Sequence, residues 1–245
     1  MDMLIWILIV SVMGPVIGSL IGVIKKPSER FMLDMLAFAA GVMLAISFLE
    51  LIPQSIEIGT IWSCAIGIIV GSIVMYAVDK TAPHIHPGMC LNEQGSKLKK
   101  TATYLLIGIF IHNLPEGMAI ATGTISGMDS ALVVALAIAI HNIPEGICTS
   151  APFYFCSKKR LKSFLVSAST AIPILVGFFI GKALYTVLSP IIISGVVAAT
   201  AGVMIYISGD ELIPTSCNKS DKPWSHSTIF SLIAGVLFVV VLGSL

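Results

Sequence analysis

Charge is scarce in this chain. Only 11% of its 245 residues are Asp, Glu, Lys or Arg, against about 25% in soluble domains. With 56% hydrophobic residues and a mean hydropathy of +0.99, that shortfall excludes a soluble globular domain and indicates an integral membrane protein. Net charge is only +1, so no basic face for nucleic acid exists and no nucleic-acid partner is expected. Cysteine numbers five, without regular spacing, which excludes a disulfide framework and a closed thiolate metal site. Cys64 and Cys148 fall in apolar runs and the other three in segments read below as cytosolic loops; all five are read as reduced. The apolar runs lack breaks and alternation, so they are too long for barrel strands of about 10 residues. A cationic leader and a clear cleavage site are missing too. Only Asp2 precedes the first apolar run, and that span is expected to be retained.

What is present is a series of long apolar runs. At about 20 residues per crossing, the chain predicts eight transmembrane helices near 3–24, 32–53, 60–79, 102–122, 130–151, 163–186, 189–212 and 226–244. Thirteen of the fourteen Lys and Arg fall in alternate connections, Lys182 being the exception, while the opposite loops hold Glu57 and Asp129 but no base. By the positive-inside rule both termini face outward and the loop over 80–101 is cytosolic. Residues 40–53, AGVMLAISFLELIP, and 201–214, AGVMIYISGDELIP, are identical at ten of fourteen positions at an offset of 161. The two copies are five spans apart, an odd number, so they run in opposite directions through the membrane. The expected fold is all-α and integral to the membrane, with eight transmembrane helices in a 3+2+3 inverted-repeat arrangement. A first repeat over about 1–80, a central helix pair over 102–151 and a second repeat over about 163–245 make one domain, 1–245. Inverted repeats around a midplane ion site are a mark of secondary transporters.

The central pair carries one phrase twice. Residues 111–117 read IHNLPEG and residues 140–146 read IHNIPEG. Six ligand-type side chains, His112, Asn113, Glu116, His141, Asn142 and Glu145, thus sit where polar groups are costly. At about 100° per residue, the Glu falls near 40° when the His is at 0° and the Asn near 100°. The carboxylate therefore lies between the other two on one helix face and can bridge an ion on each side. Pro115 and Pro144 lack an N–H, which frees the carbonyls of Ile111 and Ile140 and predicts kinks. Imidazole with carboxylate suits Zn, Fe(II), Mn and similar ions better than Ca or Mg. Small-residue steps, Gly14–Gly18–Gly22 and Gly177–Gly181, predict close helix packing and no ligand role.

These residues resemble the ZIP family of divalent-metal transporters, in the bacterial branch with HN-x-PEG on both central helices. The resemblance covers nearly the whole chain: Leu33-Asp34 through Glu50, both phrases with their tails GMAIATG and GICTSAP, the DELIP of span seven, and the His-bearing third loop. It implies that the six motif residues are metal ligands, that the helices follow the 3+2+3 plan, and that metal moves toward the cytosol. An elevator-like movement of the central helices has been proposed for such proteins. One departure stands out. Where family members often carry a Glu before a Pro in span six, this chain has Ile172 before Pro173, so a second metal position loses a carboxylate.

Lesser candidates follow. By the resemblance Met43 is a thioether ligand, although a Met in a transmembrane helix is usually packing. Glu50 and Glu211 lie near the ends of their spans and suit pathway mouths, with Asp210 beside Glu211 as a further acid. His84 and His86 form a short His-x-His in the third loop, suited to collecting metal on the cytosolic side. The expected activity is transport of divalent transition-metal ions, Zn2+ first, then Fe2+, Mn2+, Co2+ and Cd2+, across the plasma membrane by alternating access, without catalysis or a resident cofactor. Expected partners are those ions and the lipid bilayer, with a homodimer left open. The competing reading is an intramembrane metal-dependent hydrolase, against which stand the lack of HExxH and of a placed nucleophile.

Overall fold

The computed structural model describes residues 2–24, 29–81, 110, 113–125, 127–217 and 226–243, and all regular structure among them is helical. Helix α1 is Asp2–Ile24. Helix α2 begins as Glu29–Ile46 and passes through a π-helical turn, Ser47–Leu51, into Ile52–Ile58. Helix α3 is Ile61–Thr81 and α4 covers residues 113–125. Helix α5, Met128–Ser157, runs unbroken through Pro144. Helix α6 is Arg160–Ala168, a 3-10 turn over Ser169–Ala171, and Ile172–Val187. Helix α7 is Pro190–Ile207, a second π turn over Ser208–Leu212, and Ile213–Cys217. Helix α8 is His226–Leu242. Six of these are long and apolar enough to cross a membrane, and α8, with 17 residues, is a shorter apolar helix. The protein is a helical, multi-pass membrane protein.

Spans two and seven run beyond the expected ends at 53 and 212, to Ile58 and Cys217. The reason is the pair of π turns. Pro53 and Pro214 would clash with the preceding turn and remove a backbone donor. In each case the turn just before the proline widens, and the chain stays helical on the far side. The turns are built alike: Ser47 and Ser208 donate to the carbonyls of Met43 and Met204, each at 2.8 Å. Cys156 and Cys217, expected in loops, lie in helical residues.

Helices pack through glycines at which backbone touches backbone. Between α2 and α8, a Cβ on Gly41 would strike the carbonyl oxygen of Leu232, and one on Gly235 that of Phe38. Between α3 and α7, the same holds for Gly202 against Ile68 and Gly71 against Ala199. Gly41 and Gly202, like Phe38 and Ala199, are equivalent positions of the repeat at offset 161; Ile68 and Gly71 then match Leu232 and Gly235 at one constant offset, 164. The other two seams are twins as well. Gly18 meets the carbonyl of Ile143 on α5, as Gly177 meets that of Leu114 on α4. A Cβ on Gly146 would lie only 2.6 Å from the carbonyl oxygen of Pro15, and one on Gly117 would strike that of Ile174. Helices α1, α4, α5 and α6 therefore form one packed set and α2, α3, α7 and α8 another, with α2 lying against α5 to join them.

Candidate metal site

The tight link between α4 and α5 sets the site up. Gly127 adopts φ 138°, a conformation open to glycine. Its N–H closes back on the Gly123 carbonyl at 3.1 Å, and its own carbonyl accepts from Ala131 at 3.1 Å. The chain thus reverses, and the two HN-x-PEG phrases face each other across the helix pair. Asn113, Glu116, His141 and Asn142 are fully buried, and Glu145 is 4% exposed.

The carboxylate of Glu116 bridges an imidazole and an amide, as its place on the helix face allows, but both come from the facing helix. Oε1 lies 2.8 Å from His141 Nε2, and Oε2 accepts from Asn142 Nδ2 at 2.7 Å. His141 Nδ1 lies 3.1 Å from the Ala137 carbonyl oxygen. One ligand atom from each of Glu116, His141 and Glu145 falls within 4.8 Å of the others. Asn113 donates to the Thr170 carbonyl at 2.6 Å, in the 3-10 turn that precedes Pro173. The Oδ1 atoms of Asn113 and Asn142 are buried with no hydrogen-bond partner among the described residues.

This arrangement needs a proton or a metal ion at its centre. The Ala137 carbonyl is only an acceptor, so Nδ1 carries a hydrogen to bond it. Nε2 then faces a carboxylate oxygen, and two acceptors in contact repel. Either a proton or a metal ion must lie between them. Orienting a histidine through its second nitrogen on a backbone carbonyl is the usual outer support of a metal-binding imidazole. Two carboxylates and an imidazole, buried with one ligand atom of each within 4.8 Å of the others, make a group that fits a divalent ion.

A family model described as ZIP Zinc transporter matches residues 3–101 and 88–243. The chain belongs to the ZIP family. Among curated relatives it is 37% identical, over 207 residues, to the zinc transporter ZupT of Salmonella heidelberg (strain SL476), covering 81% of this chain and 80% of the relative. The zinc transporters ZupT of Salmonella paratyphi A (strain ATCC 9150 / SARB42) and Salmonella newport (strain SL254) match with the same identity and coverage. This ZIP protein is accordingly a divalent-metal transporter and not an enzyme, and the hydrolase reading falls.

Of the residues picked out from sequence, Glu116, His141, Asn142 and Glu145 come together in one buried group of this ZIP protein, with Asn113 tied to Thr170. His112, His84 and His86 lie outside the described residues. Met43 is fully buried in α2, whereas Glu50, Asp210 and Glu211 ride on the two π turns and are not part of the buried group of Glu116, His141 and Glu145. Ile172 opens the second part of α6 and is 52% exposed.

Sequence reading missed the backbone carbonyls of Ala137 and Thr170 and a buried hydroxyl group next to the site. Ser19 donates to Ser167 at 2.7 Å, and Ser167 also meets Thr149, which donates to the Glu145 carbonyl at 3.0 Å. Ser and Thr inside apolar runs were the only available signal.

Proposed function

We propose that the chain carries Zn2+ across the plasma membrane toward the cytosol, with Fe2+, Mn2+, Co2+ and Cd2+ as further cargo. The ion is held by His112, Glu116, His141 and Glu145, with Asn113 and Asn142 as amide oxygens beside it. One observation carries this reading: Glu116 reaches across the central pair to His141 Nε2 at 2.8 Å, in a fully buried group where a metal ion or a proton fits between them. Two imidazoles and two carboxylates balance a divalent charge and match the borderline softness of zinc. The names of the Salmonella relatives favour zinc as the first cargo.

Around that site we read eight spans in a 3+2+3 inverted plan, the four glycine seams related in pairs supporting the symmetry. Both termini and the helix ends that carry Glu57 and Asp129 face outward in this reading, following the basic residues in the alternate connections. The deciding measurement is zinc uptake by proteoliposomes, with Fe2+, Mn2+, Co2+ and Cd2+ as competitors. Zinc-dependent uptake that Cd2+ suppresses is expected. Liposomes that accumulate none of these ions would overturn the assignment.

A further inference from the structure

We propose that the corner where α5 passes into α6 is a docking site for an anionic phospholipid. The headgroup phosphate lies among Lys158, Lys159, Arg160 and Lys162, and an acyl chain lies along Leu161 and Leu165. Such a site needs only a chain that spans a membrane, and it stands apart from the transport reading above. The candidate span of α5 ends at Ala151 and that of α6 begins at Arg160. The corner between them therefore meets the headgroup layer, and α6 enters the bilayer directly after it. Four cations fall between Lys158 and Lys162, and all four are exposed. Basic clusters beside a transmembrane helix attract anionic headgroups. Leu161, 70% exposed, and Leu165, 55% exposed, follow one turn apart on one face. Ile172 is exposed further along the same helix. From Leu161 to Ile172 the helix rises about 16 Å, close to one leaflet of a hydrocarbon core about 30 Å thick.

Hydrogen bonds fix the backbone of this corner. Lys158 sits at φ 54°, a left-handed conformation that glycine takes at least cost, and its N–H donates to the Tyr154 carbonyl at 2.9 Å. The Ser157 hydroxyl oxygen accepts from the Lys159 N–H at 3.1 Å and lies 2.8 Å from that of Ser163. Ser163 in turn donates to the Lys159 carbonyl at 2.9 Å. Arg160 Nε donates to the Tyr154 hydroxyl at 3.1 Å, with the guanidinium 5.7 Å from the ring centroid. The cations are thus presented from a set geometry. Charge decides the partner. Helix α5 carries only Asp129, at its far end, and the buried Glu145, and α6 carries no acid. Helix α1, whose Gly22 meets α5 at Ser150, has only Asp2 at its opposite end. In the other helix set, by contrast, Arg30 pairs with Asp34 at 4.0 Å and Lys80 lies over the Tyr76 ring at 4.8 Å. A surface of one sign, beside exposed leucines that enter the bilayer, fits a molecule with an anionic head and a hydrocarbon tail.

The test titrates the full chain in detergent with dioleoylphosphatidylglycerol or dioleoylphosphatidylcholine, and native mass spectrometry counts the bound lipid. Phosphatidylglycerol is expected to bind more tightly, and glycerol phosphate, which has no acyl chain, is expected not to displace it. Two variants remove equal charge. One combines Lys158→Gly, Lys159→Gln and Lys162→Gln at the corner; the other combines Lys97→Gln, Lys99→Gln and Lys100→Gln elsewhere in the chain. The corner variant keeps the contact of Arg160 with Tyr154 and puts glycine where the backbone favours it. Each cation lost at the corner is expected to weaken phosphatidylglycerol about fivefold, while the Lys97 set stays near the wild-type affinity. Leu161→Gln with Leu165→Gln is expected to weaken both lipids, and it stands in should the corner variant fail to fold; unchanged binding there overturns the site. Equal losses in the two charge variants would reveal diffuse attraction to net charge and overturn it too. So would equal affinity for the two lipids, or displacement by glycerol phosphate.

Discussion

At the scale of single residues, the site depends on charge more than on shape. Glu116 joins His141 and Asn142 of the facing helix, so Glu116→Ala leaves an imidazole and an amide without their shared anion. Transport is expected to fall to background for Glu116→Ala and for Glu145→Ala, with normal protein levels in the membrane; wild-type uptake by either would remove both from the ligand set. Protons and metal compete for the same lone pairs, because Nε2 of His141 faces a carboxylate that only a cation can reconcile with it. Apparent zinc affinity should weaken as external pH drops from about 7.5 to about 5.5, and a flat profile over that range would argue against histidine ligation. The ion count follows from the same charges. The spare donors beside the first ion are the Oδ1 atoms of Asn113 and Asn142, which are neutral, and Ile172 supplies no acid. Two divalent ions a few ångströms apart repel strongly where the dielectric is low. Detergent titration should find about one tight ion per chain, with Ile172→Glu raising the count toward two; two equal tight sites in the wild type would contradict this.

At the scale of helices, glycine decides where two spans touch. A Cβ on Gly117 would enter the carbonyl group of Ile174, whereas one on Gly209 would meet nothing within 4 Å. Gly117→Ala is expected to abolish folded protein, and Gly209→Ala to leave the thermal midpoint in detergent unchanged; equal midpoints for the two variants would show that the seam is not tight. The repeat itself anticipates the second result, since the position equivalent to Gly209 is Phe48. This is also where sequence was most and least legible. The small-residue steps of α1 and α6 announced close packing, and the HN-x-PEG phrases announced a buried polar group in the central pair, because such side chains are costly in a membrane without a task. The π turns were not legible. A proline near the end of an apolar run reads as a helix stop, and only the helical course beyond Pro53 and Pro214 reveals that a widened turn absorbed it. Nor could spacing tell that Glu116 would pair across helices, with the His and Asn of the other phrase and not its own, since rotation about one helix says nothing of the neighbour.

At the scale of the whole molecule, the twin seams describe two halves built alike, yet the halves are not equivalent. The buried hydroxyls of Ser19, Thr149 and Ser167 correspond, under the pairings that relate the seams, to Phe178, Ile120 and Leu8. Directionality therefore has to come from side chains that break the symmetry and from the distribution of charge at the two surfaces. The charge is the stronger of the two. Thirteen of fourteen Lys and Arg lie in the connections after spans one, three, five and seven, and the span ends that carry Glu57 and Asp129 have none. Each basic residue near a span end resists translocation, and thirteen acting together leave little room for the inverted topology. A single cysteine at Asp129, which is exposed at the start of α5, should react with an impermeant thiol reagent added outside intact cells, and one at Lys99 only after the cells are opened. The opposite pattern would turn the molecule over. The overturned molecule would keep the same buried group of Glu116, His141 and Glu145, and only the face from which an ion reaches it would change.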